Sequence, residues 1–84
     1  VGAAGRTRIR YQLAGDAEGF VMSRSTRAAA QALERMLERH RALGNHIRRR
    51  VRPDGGAEYL VTSPRSERIA RYSLDPASSY RAQR

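Results

Sequence analysis

Apolar and polar positions alternate from Thr7 to Leu13, with Ile9, Tyr11 and Leu13 on one side and Arg8, Arg10 and Gln12 on the other. A two-residue period of this kind marks a half-buried strand. Residues 14–19 hold two glycines and two acids, a turn composition, and Phe20 to Met22 then read as a short returning strand that closes a hairpin.

The period then changes to that of a helix. Ala28 to Leu43 are strong helix formers almost without interruption, and Ser23 or Ser25 can accept from the unpaired backbone N–H groups at the start. Ala29, Leu33, Met36, Leu37, His40 and Leu43 recur at steps of three and four, so one apolar stripe faces a core while Arg27, Glu34, Arg35, Glu38 and Arg41 face water. Gly44 ends the helix.

Beyond Gly44-Asn45 the period returns to two. Ile47, Arg49 and Val51 share one face of a third strand, and His46, Arg48, Arg50 and Arg52 share the other. Pro53-Asp54-Gly55-Gly56 is a turn, because Pro presets its own torsion and Gly accepts positive φ, and Glu58 to Thr62 form the return with Tyr59 and Val61 together. Ser63-Pro64-Arg65-Ser66 makes another turn. From Arg68 to Leu74 the alternation resumes with Ala70, Tyr72 and Leu74 on one side, a fifth strand or, in the other reading, a short helix. Asp75-Pro76 is expected to stop it.

These elements predict an α+β fold, an antiparallel sheet of four or five strands with one helix packed on one face, in the order ββαβββ. The helix stripe is expected to cover Ile9, Tyr11, Phe20, Ile47, Val51, Tyr59 and Val61. Residues 1–6 read as a flexible N-terminus, 7–75 as a single domain and 76–84 as a polar tail.

Composition sharpens this picture in two ways. Leu, Ile, Val and Phe number only 14 in 84 residues, and the net charge is +9, so the core is small and a second copy of the chain is a candidate to complete it as a homodimer. All 17 basic residues are Arg, which resembles the codon bias of a GC-rich genome, yet the excess over eight acids exceeds what that bias explains. Cysteine is absent, which excludes disulfides, thiol nucleophiles and thiolate metal sites. No apolar run is long enough to span a membrane, so a soluble, cytoplasmic protein is expected. The chain opens on Val1 in place of Met, which suggests a processed or excised segment of a longer protein.

The charge is concentrated. Arg39 to Arg52 contain six arginines and two histidines in fourteen residues with no acid among them. Arg39 and Arg41 are accounted for by the helix dipole, whose negative end they approach. The strand arginines have no such local explanation. The uncovered face of the expected sheet would carry Arg8, Arg10, Arg48, Arg50, Arg52 and Arg71, spaced to meet phosphate oxygens, and a ribbon of two or three strands fits the major groove. The expected function is therefore that of a small bacterial or phage nucleic-acid-binding protein, duplex DNA being favoured over RNA, acting as an accessory or regulatory factor.

A second expectation is an adaptor or inhibitor whose basic surface docks on an acidic protein. A third is a small ribonuclease built on His40 and His46 with Arg50 or a tyrosine. Against the third, His40 lies on the helix stripe and His46 opens a strand, positions that packing and capping explain. Tyr11, Tyr59 and Tyr72 fall on apolar faces, which leaves Tyr80 as the tyrosine free to stack on a base. No phosphate loop, paired carboxylates or metal-ligand cluster is present, so neither an enzyme nor a cofactor or metal is expected.

Overall fold

The computed structural model describes residues 6–77. The elements are β1 (Thr7–Leu13), β2 (Gly19–Ser23), α1 (Thr26–Ala42), β3 (His46–Val51), β4 (Ala57–Thr62) and β5 (Arg68–Pro76). They form one antiparallel five-stranded sheet in the order β2-β1-β5-β4-β3, with α1 against one face, which is the ββαβββ architecture that periodicity predicts. Among the described residues no helix is long and apolar enough to cross a membrane.

The connection explains the helix length. β2 and β3 are the two outer strands, so the chain between them must traverse the whole sheet. Four inter-strand spacings amount to about 19 Å, and 17 helical residues supply about 25 Å, enough to cross in one straight element. Ser25 caps the start, its Oγ accepting from the Ala28 N–H at 3.1 Å. Ala29, Leu33 and Leu37 are buried against Ile9, Val61, Ala70 and Tyr72, with Ala32 and Met36 packed beside them. Leu43, expected on the same stripe, is the C-cap residue and is exposed because the helical phase has ended there.

Register decides which side chains the helix covers. Tyr11 pairs with Gly19, and the Tyr11 ring lies over the glycine, where a Cβ would come within 2.7 Å of it and push the ring aside. Counting on from there, Phe20 faces Arg10 and lies on the open side of the sheet, 62% exposed, in contrast to its expected place under the helix. The length of the hairpin loop, which alternation within β2 does not reveal, sets that outcome. Val51 is on the helix side but at the end of an outer strand, beyond the cover of α1, and is exposed.

β5 does not stop at Asp75-Pro76. Both residues pair with β1, Asp75 opposite Arg8 and Pro76 opposite Thr7, and Ala77 is buried. The folded unit therefore continues past the expected boundary at 75, while residues 1–5 of the expected flexible start over 1–6 and the remainder of the expected tail, 78–84, lie outside the described residues.

Candidate nucleic-acid interface

Directly opposed residues of antiparallel strands point to the same side of a sheet. The strand register therefore places Arg8 and Arg10 of β1, Arg71, Ser73 and Asp75 of β5, Glu58 and Leu60 of β4, and Arg48 and Arg50 of β3 on the side away from α1. Arg52, just past β3, extends over the same side. All six arginines singled out in the sequence share this open face, but they divide into two chemically different groups.

The first group surrounds a buried carboxylate. Asp75 is 2% exposed and sits between Arg10, whose Nε donates to Oδ2 at 2.5 Å, and Arg52, whose Nη2 donates to Oδ1 at 2.6 Å. Arg8 Nη2 approaches Oδ2 at 3.4 Å, and the Ser73 hydroxyl donates to Oδ1 at 2.8 Å while accepting from both Arg10 and Arg52 at 3.1 Å. Burial alone would push the Asp75 pKa up, but the hydrogen bonds from Arg10, Arg52 and Ser73 and the charge of Arg10 outweigh it and hold the group at about 2, below its ordinary 3.8. Further acids gather at the rim: Glu18 lies 3.7 Å from Arg10, and Asp54 and Glu58 lie 3.3 and 3.5 Å from Arg52. Gly56 belongs to this arrangement because a Cβ there would collide with the Arg52 guanidinium and come within 2.7 Å of the Leu74 carbonyl oxygen. These three cations are thus largely neutralised and serve the fold.

The second group has no carboxylate at contact distance, although Glu58 stands directly opposite Arg50. Arg48, Arg50, Arg68 and Arg71 ring an open hollow of about 240 Å³ whose lining also includes Leu60 and Glu58. No carboxylate of the described residues lies within 4 Å of these four guanidiniums; Glu58 instead reaches Arg52, and Glu34 and Glu38 both pair with Arg41 on the helix.

Arg68 was not among the expected face residues, because simple alternation puts it with Ala70 under the helix. A bulge moves it. Val61 pairs with Ala70 but its neighbour Thr62 pairs with Arg68, so Ile69 is an extra residue in β5 and Arg68 crosses to the side of Arg71. Asp75, which Asp-Pro chemistry marks as a strand stop, also lies on this face, because the polar alternation Arg71, Ser73, Asp75 carries on through it.

No family model, curated protein or solved structure matches this chain. What the surface can do must therefore come from its own residues.

The histidines do not converge. His40 is on the helix, its Nε2 2.8 Å from the Tyr72 hydroxyl, while His46 pairs with Thr62 and projects on the open side of the sheet. The His40 Nδ1 is buried without a hydrogen-bond partner in the structure, and burial lowers its pKa from 6.5. A His whose folded pKa is depressed contributes stability that is fully present above the unfolded value and is lost as pH falls below it. The unfolding midpoint should therefore drop as pH is taken from about 7.5 to about 5.5, and His40→Gln should flatten that dependence. An unchanged slope in the variant would assign the effect elsewhere.

Tyr11, Tyr59 and Tyr72 all lie on the helix side, and Tyr59 accepts from Arg49 Nε at 3.3 Å there. Phe20 is the aromatic ring that the register places on the open side among the described residues. Tyr80 lies outside them.

Proposed function

We propose that the chain binds nucleic acid through the open face of its sheet, duplex DNA ahead of RNA, as a cytoplasmic accessory or regulatory factor. The observation that carries this reading is the ring formed by Arg48, Arg50, Arg68 and Arg71, cations with no carboxylate of the described residues within 4 Å, beside others that Asp75 holds. Holding four guanidiniums together costs electrostatic energy, which an anionic surface with several phosphates would recover through charge-assisted hydrogen bonds and release of counterions.

Two features favour paired strands contacted through their backbone. Among the described residues the register puts Tyr11, Tyr59 and Tyr72 on the helix side and leaves Phe20 on the open side, so this part of the face lacks the row of rings on which unpaired bases stack. A five-stranded face about 19 Å across is also wider than the major groove, about 12 Å, so it lies over phosphates and does not enter the groove as a unit. Sequence discrimination should accordingly be weak.

The test is a fluorescence titration of labelled duplex DNA, single-stranded DNA and RNA at several salt concentrations. For four phosphate contacts on duplex DNA, log K should fall against log salt with a slope near about −3.6, which is about a 150-fold loss between 50 and 200 mM salt. A flat salt dependence, or no binding at low salt, would overturn the proposal.

A further inference from the structure

The sheet has two outer strands, and they are not protected alike. β3 carries Arg48, Arg49 and Arg50 in succession, the charged guard that keeps an unpaired strand from joining another sheet. β2 has no charge from Gly19 to Ser23, and Phe20, Val21 and Met22 are 62, 44 and 40% exposed.

β2 is also self-complementary. If a second copy is laid antiparallel along it with Val21 on the two-fold axis, Phe20 of each copy falls opposite Met22 of the other, a sulfur–aromatic contact made twice. The same register sets Glu18 of each copy opposite Arg24 of the other. Arg24 has no ion pair within the described residues, and Glu18 holds Arg10 only at 3.7 Å, on the long side of ion-pair contact. An acid three residues before the centre and a base three residues after it match an antiparallel copy of this same strand.

We infer that the chain forms a symmetric homodimer by antiparallel pairing of β2 with β2 of a second copy, centred on Val21, which joins the two sheets into one of ten strands. The backbone groups that β2 leaves unpaired on its outer edge gain partners, and its exposed apolar side chains lose contact with water. The pairing depends on no property of the arginine ring, so it stands or falls apart from nucleic-acid binding.

Light scattering behind size exclusion, with no nucleic acid present, should give twice the 9.4 kDa chain mass. Because the chain has no cysteine, a single thiol reports the register. Opposed Cα atoms are about 4.5 to 5.5 Å apart, within disulfide range, so Val21→Cys should link completely under mild oxidation while Val51→Cys on the other outer strand stays unlinked. Glu18→Arg should weaken the dimer about tenfold, and adding Arg24→Glu to it should restore the parent affinity. A parent chain of single mass up to its solubility limit would overturn the inference. So would linkage through Val51→Cys in place of Val21→Cys.

Discussion

Asp75→Ala should destabilise the fold by about 3 to 5 kcal/mol, the usual consequence of removing one partner from a buried ion pair and leaving the other uncompensated. Here the remaining partners are Arg8, Arg10 and Arg52, brought within reach of one carboxylate and then left facing one another. An 84-residue domain has a total stability of roughly 4 to 13 kcal/mol, so this single change removes a large share of it. Urea unfolding of parent and variant measures the difference directly. Asp75→Asn, which keeps the shape and an oxygen for Ser73 but not the charge, should fall between them. A loss below about 1 kcal/mol for Asp75→Ala would show that the cluster is merely a solvated surface pair.

The same carboxylate makes the fold acid-sensitive. Its folded pKa, about 2, lies below the ordinary 3.8, so its contribution is complete above the unfolded value and disappears as pH falls through the folded one. About 2 kcal/mol should be lost between about pH 4 and about pH 2, and that component should be missing in Asp75→Asn.

The largest expected effect on binding comes from the unpaired arginines. Replacing Arg48, Arg50 and Arg71 together with Gln should remove about three phosphate contacts and cut the salt slope by about 2.7. Stability should change little, since these groups hold no carboxylate partner among the described residues and surface substitutions of that kind stay within about 0.5 kcal/mol. Arg10→Gln and Arg52→Gln should behave in the opposite way, lowering stability through Asp75 while leaving most of the slope. Two sets of arginines on one face would thus separate by measurement into those that fold the protein and those that bind its ligand. If the triple variant binds duplex DNA as the parent does, the face is not the interface.

The elements themselves were legible because each one keeps its period cleanly: Ile9, Tyr11 and Leu13 in β1, and Ala29, Leu33 and Leu37 in α1. Their side of the sheet was legible only where no loop or bulge intervenes. Alternation alone puts Phe20 under the helix, but the length of the first hairpin's loop pairs it with Arg10 on the open side, a matter of register between strands. Arg68 was missed because one extra residue, Ile69, inverts the alternation at the start of β5. Asp75 was missed for a different reason. Asp-Pro has the chemistry of a turn, but three arginines from β1 and the end of β3 surround that carboxylate, and only the folded sheet brings them together. Net charge foretold an arginine-rich face; it could not tell which arginines are already neutralised.

The most direct test is a pair of salt series on duplex DNA, one for the parent and one for the protein with Arg48, Arg50 and Arg71 all changed to Gln, with unfolding curves for both. Ring arginines acting as the phosphate contacts require a parent slope near about −3.6 that falls to about −0.9 in the variant, with unfolding midpoints that coincide. Equal slopes in two equally folded proteins would contradict the account.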